Sequence, residues 1–208
     1  MEPRHLTYCR TASRFGLAAI LIGCGLSITS CYPGDELTPT DTDIVATFFD
    51  PAANFSTKLT YAMPDSVAHV EGDVVVSTVG PYDQQILSRI RTNMDQLGFT
   101  RVANPSQADV LVASFATETT WVSGGCYSSY WGWWYPYPGY CYPVVYTYET
   151  GTLVTVMVNR NETTEKPALW VAGINGLTTG ASSADITARI NRNIDQAFTQ
   201  SPYLGAGK

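Results

Sequence analysis

YDQQILSRIRTNMDQLGFTRVANPSQADVLVASFAT, residues 82–117, is the stretch whose reading decides the fold. Tyr82, Ile86, Ile90, Met94 and Leu97 recur at helical spacing and make one apolar stripe. Pro81 suits the first turn of that helix, and Gly98 suits its C-terminal cap. Phe99–Val102 then reads as a short strand, and Asn104-Pro105-Ser106-Gln107 as a turn. Asp109–Thr117 follows, with an almost continuous apolar run from Val110, the pattern of a central strand buried on both faces.

Outward from this unit, the flanks alternate between strand and turn signals. Ile44–Phe49 is β-rich and closes at Asp50-Pro51. Phe55–Ala62 alternates and ends before Pro64, so it reads as a second strand, and Val74–Val76 as a short strand or extended connector. Val144–Val158 reads as strand with Gly151 at a bulge, and Ala168–Gly173 as the last strand. A terminal helix opens at Ser182 or Ser183, where Ser182 and Asp185 resemble a capping box. Its stripe is Ile186, Ile190, Ile194, Ala197 and Phe198, and Ser201-Pro202 stops it. The fold class is α+β: a mostly antiparallel sheet with two amphipathic helices on one face and an aromatic-rich hairpin insert. The two helices share a phrase, Arg89-Ile90 with Asn93-Met94-Asp95-Gln96 against Arg189-Ile190 with Asn193-Ile194-Asp195-Gln196. A duplicated half-domain produces such a match, and so do two helices packing independently on one sheet.

The N-terminus reads as an export signal. Arg4, Arg10 and Arg14 precede an apolar run from Phe15 to Ile28, shorter than the ~20 residues a spanning helix needs. Ile28-Thr29-Ser30-Cys31 is a lipobox, with Cys31 the expected lipid-bearing residue. Leu21-Ile22-Gly23-Cys24 is a second box with a shorter apolar run before it, and an unlipidated cleaved signal is the remaining alternative. The expected organisation is signal 1–30, acylated cysteine and Pro/Thr-rich acidic tether 31–42, one domain over 43–200 and a tail 201–208. The expected location is the bacterial cell envelope, lipid-anchored, in the outer membrane. Stable anchoring needs more than one acyl chain.

The chain carries a formal net charge of −6, and loss of residues 1–30 removes three arginines against one glutamate. That sign argues against nucleic acid as a partner. Outside the signal and the lipid site, Cys126 and Cys141 are left as a pair in an exported protein, which reads as a disulfide. His69 is the single histidine beyond the signal, so no metal site is expected. No nucleophile motif accompanies His69, which reads as a solvated loop residue, and Gly124-Gly125 is followed by no Lys-Ser/Thr of a phosphate loop. Neither a cofactor nor catalytic residues are expected, and the chain reads as a non-enzyme. An unrecognised hydrolase centred on His69 is the third-ranked alternative.

Residues 119–148 hold no charged residue and are dense in Trp, Tyr, Gly and Pro. Trp131, Trp133, Trp134, Tyr135, Tyr137 and Tyr140 are the candidate ligand or partner surface. Three readings of the insert stay open: a cover for the helix-free face of the sheet, a recognition surface for a glycan or envelope protein, or contact with the lipid interface.

Phe49-Asp50-Pro51, Asn54-Phe55, Thr60-Tyr61-Ala62, Leu97–Val102, Asn104-Pro105, Ala108–Val112, the aromatic insert, Tyr148–Val154 and Leu169-Trp170 occur in an order that resembles a bacterial lipoprotein family, the domain of unknown function 4136. The resemblance covers residues 43–200 and implies an envelope lipoprotein with an α+β domain. It carries no catalytic residues over. The chain departs from it at Thr155-Val156-Met157-Val158 and in its Cys126/Cys141 pair. The function expected is that of an envelope lipoprotein acting as a non-enzymatic binding or assembly component, with a carbohydrate- or peptidoglycan-binding module as the alternative.

Overall fold

The computed structural model describes residues 43–71, 74–117, 121–127, 134, 140–148, 151–161, 166–177 and 182–205; for 121–127, 140–148 and 166–167 it describes the backbone. The signal, the lipobox with Cys31 and the tether lie outside these residues.

Eleven strands and two long helices alternate along the described chain. In order they are β1 (Val45–Phe49), β2 (Thr60–Ala62), β3 (Ala68–Glu71), β4 (Val74–Ser77), α1 (Asp83–Gln96), β5 (Thr100–Arg101), β6 (Val110–Thr117), β7 (Trp121–Tyr127), β8 (Tyr140–Tyr148), β9 (Thr152–Asn159), β10 (Lys166–Pro167), β11 (Trp170–Ile174) and α2 (Ser183–Thr199). Eight strands form one sheet in the order β1-β11-β9-β6-β2-β5, with β3 also on β6 and β4 on β3. The pairings β1–β11, β11–β9, β9–β6 and β3–β4 are antiparallel, while β2 and β3 run parallel to β6, and β5 parallel to β2. The fold is α+β with a mostly antiparallel sheet, as the periodicities imply.

Period-two alternation sorts the long strands onto two buried faces. Val110 and Val112 of β6, Leu153 and Met157 of β9, and Trp170, Ala172 and Ile174 of β11 face the helices. There they meet Ile86, Leu87, Ile90 and Met94 of α1 and Ile190, Ile194, Ala197 and Phe198 of α2. Each fully buried aliphatic side chain contributes about 1.5–3 kcal/mol. Leu111, Ala113 and Phe115, with Val154, Val156, Val158 and Val171, form the core of the opposite face. Gly98, at φ 91°, ends α1 in the left-handed conformation that the sequence reading asks of it. Ser182 caps α2 by accepting from the Asp185 amide at 3.2 Å and donating to the Asp185 carboxylate at 2.6 Å.

Three readings need correction. Phe55–Thr57 is a 3-10 turn, because the Asn54 carboxamide accepts from the Ser56 amide and curls the chain before β2. Val144–Val158 is two strands in two sheets, and Gly151, at φ 80°, lies before β9 and not in a bulge. Ala68–Glu71 is a strand, so His69 is no loop residue. The C-terminal turn Pro202–Leu204 is packed, with Ser201 and Leu204 buried and the Tyr203 ring 4.0 Å from that of Phe49 between centroids.

The shared helix phrase has a geometric meaning. Arg89 and Asn93, one turn apart on α1, both donate to the Asp195 carboxylate on α2, Arg89 as a two-pronged fork. Arg189 and Asn193, one turn apart on α2, both meet Asp43 at the start of the described chain, at 3.4 and 2.9 Å. Each Arg/Asn face therefore clamps one aspartate: α1 holds α2, and α2 holds the segment leading into β1.

Candidate ligand groove at the strand break

β2 and β3 lie end to end along one edge of β6, and the register shows why they are not one strand. Ala62 pairs with Leu111 and Ala68 with Phe115, so six residue steps on this edge match four on β6. Two extra residues must bulge. Pro64, which has no amide hydrogen to offer a ladder, sits at the break. Met63 and Val67 stay buried on either side, and Asp65 is pushed out, its side chain 80% exposed.

Beside this bulge opens a groove of about 540 Å³, lined by Met63, Pro64, Asp65, Ser66, Arg101, Ala103 and Trp134. β5 pairs with β2 in parallel, which carries Arg101 alongside Tyr61 and within reach of the bulge. The Arg101 guanidinium donates to the Met63 carbonyl at 3.2 Å and to Asp65 Oδ1 at 2.9 Å. Arg91 of α1 donates to the same Oδ1 at 2.6 Å. The hydrogen bond from Arg101, together with the charge of both arginines, holds the Asp65 carboxyl below its ordinary pKa against the opposing effect of desolvation. Trp134 is half-buried and packs against the helix-free face of the sheet. The groove thus joins an indole, the Arg101 guanidinium and one exposed carboxylate, which Arg91 of α1 also holds.

A second, smaller cavity of about 90 Å³ lies on the helix side, lined in part by His69, Tyr82, Asp83, Thr117, Thr152 and Leu177. Alternation along β3 turns His69 toward α1, where Nε2 lies 3.0 Å from Asp83 Oδ1. The other carboxylate oxygen of Asp83 accepts from the Gly80 amide at 2.8 Å. The His69 side chain is 18% exposed and that of Asp83 8%. Gly80 is tight against the pair: a Cβ there would collide with the imidazole ring and stand 2.7 Å from Asp83 Oδ1. The pair fixes the orientation of the ring. No cluster of three or more metal-ligating side chains is found among the described residues.

The profile of DUF4136, a domain of unknown function, matches residues 45–203. The chain belongs to the DUF4136 family. A DUF4136 family protein from Bacteroides thetaiotaomicron is similar in structure, with 27% identity and a TM-score of 0.62 over 81% of this chain and 100% of that one. More distant likenesses are to a PelC dodecamer from Paraburkholderia phytofirmans, at 14% identity and TM-score 0.40 over 80% of this chain and 99% of that one, and to a PDZ domain protein from Parabacteroides distasonis, at 10% and 0.39 over 77% and 36%. No curated protein matches the chain.

On the DUF4136 domain the aromatic insert begins as a hairpin. β7 and β8 pair antiparallel, β10 adds to β8 in parallel, and Trp121 lies opposite Tyr148 and Tyr127 opposite Tyr140. Cys126 stands directly across from Cys141 in this register; no disulfide is present among the described residues, and both side chains lie outside them. Trp131, Trp133, Tyr135 and Tyr137 lie outside the described residues, as does the side chain of Tyr140. Of the six aromatic residues singled out from the sequence, Trp134 is the one whose side chain is described, and it both covers the sheet and lines the groove. The sequence reading missed Asp65, Arg91 and Arg101. Pro64 inside an alternating stretch was the available signal of a break there.

Proposed function

We propose that the protein is a non-enzymatic envelope lipoprotein, anchored through Cys31 and a short tether, whose domain binds a glycan in the groove at the strand break. The observation that carries the reading is the groove itself: an indole face beside fixed polar side chains is the arrangement that stacks on a sugar ring and bonds its hydroxyls. The lipobox and the acidic Pro/Thr-rich segment support the anchor, and an outer-membrane site in the envelope follows from the same signal. The Cys126/Cys141 register supports a disulfide that would staple the hairpin carrying Trp134.

The test is binding of the detergent-solubilised mature lipoprotein to an array of envelope-type oligosaccharides, neutral and acidic. Trp134→Ala is expected to weaken the retained class at least tenfold, with thermal unfolding used to check that the variant is folded. An array with no retained saccharide overturns the reading, and so does binding that the Trp134 change leaves intact. Mass spectrometry of the mature N-terminus, with and without thiol alkylation, tests the acylated Cys31 and the disulfide together.

A further inference from the structure

We infer that the groove takes a saccharide bearing a carboxylate, whose anionic group replaces Asp65 between Arg91 and Arg101. The inference rests on the glycan reading above and narrows it to one charge class.

Three observations carry it. First, two guanidiniums converge on a single oxygen: Arg91 and Arg101 both donate through Nη2 to Asp65 Oδ1. A guanidinium forms its best contact with a carboxylate through two parallel bonds, and Asp65 gives neither arginine that fork. Second, the Arg91 Nε is buried without a hydrogen-bond partner, so its donor capacity is incompletely used. Third, Asp65 is 80% exposed on a bulge, whereas the Arg101 and Arg91 side chains are 35% and 25% exposed. The carboxylate is therefore the member of this cluster that faces solvent most, with the cations behind it. An ion pair this exposed contributes little to stability, so exchanging one carboxylate for another is nearly free.

Charge balance points the same way. The whole chain is acidic, at −6, yet this cluster is two cations against one anion. Displacing Asp65, which lines the groove with Arg101 and Trp134, leaves two cations without their shared anion at that point of the wall. A neutral sugar would use the indole but leave the arginines to Asp65; an acidic one uses both.

The experiment is calorimetric titration of the solubilised lipoprotein with trigalacturonate, with the GlcNAc–MurNAc disaccharide and with neutral galactotriose. The first two separate a uronic acid from a lactyl ether as the source of the carboxylate. The expected result is at least fivefold tighter binding of one acidic probe than of galactotriose. Asp65→Asn should tighten the acidic probe several-fold further, Arg101→Gln should abolish that preference, and the acidic affinity should fall with added salt. Equal, salt-independent binding of acidic and neutral probes, lost in Trp134→Ala, overturns the inference and leaves the glycan reading standing. Failure of all three probes overturns both. The salt dependence is read on the unaltered protein, so the inference stays falsifiable if a variant does not fold.

Discussion

Gly80 shows how a residue with no side chain can position two that have them. Its amide fixes one oxygen of Asp83, and its missing Cβ leaves the space in which the His69 ring lies against the other. Gly80→Ala should destabilise the domain by about 1–3 kcal/mol, the usual cost of overpacking. In a His69→Ala background the same change should cost less, because the ring is gone and of these close contacts only that with Asp83 Oδ1 is left. Chemical denaturation of the four proteins of this cycle measures the coupling, and equal costs in both backgrounds would show that the ring does not press on Gly80. His69 also marks what the sequence hides at this scale. Ser66 and Glu71 make its surroundings look polar, and the strand is recognisable only once β6 is there to pair with it.

At the scale of elements, what is local was legible and what is not was missed. The α1 stripe and Gly98 encode their helix within one segment, and the Ser182 cap does the same for α2. Phe55–Thr57 failed because one Asn54 side chain outweighs the alternation after it. The groove failed because Asp65 and Arg101 are 36 residues apart and only the parallel β2–β5 pairing joins them. The helix clamp belongs here too. Desolvation raises the Asp195 pKa, but the hydrogen bonds from Arg89 and Asn93 outweigh it and hold the carboxyl below its ordinary value. Asp109 is likewise lowered, with burial outweighed by the Leu59 and Thr60 amides and the Thr60 hydroxyl, each 2.9 Å from Oδ2. A carboxyl depressed in the folded state stabilises above its unfolded pKa of about 3.9, and that contribution is lost as pH falls through the lower folded value. Stability should therefore hold from neutral pH to about 5 and decline below about 4. Asp195→Asn should make the acid limb shallower; an unchanged slope would mean that this clamp is not what titrates.

At the scale of the whole molecule, both faces of the large sheet carry buried side chains, though among the described residues helices cover one of them. A cover of insert rings over the helix-free face was one of three readings that the composition left open. Which rings do it was not foreseeable, and Trp134 is the described one that does. The Asp43 clamp acts at this scale as well. The Asp43 and Arg189 side chains are only 6% and 7% exposed, so truncating the acid leaves a buried cation with less to meet. Asp43→Ala should cost about 3–5 kcal/mol, the usual penalty for breaking a buried pair. A loss below 1 kcal/mol in equilibrium unfolding would count against the clamp.

That clamp also determines where mechanical load arrives. Any pull transmitted along the backbone from residue 42 meets the Asp43–Arg189–Asn193 knot first and is passed into α2, the longest helix of the described chain. Two residues further on begins β1, an edge strand that among the described residues pairs with β11 alone. The contacts of Asp43 with α2 thus share with the β1–β11 ladder any load applied at the start of the described domain.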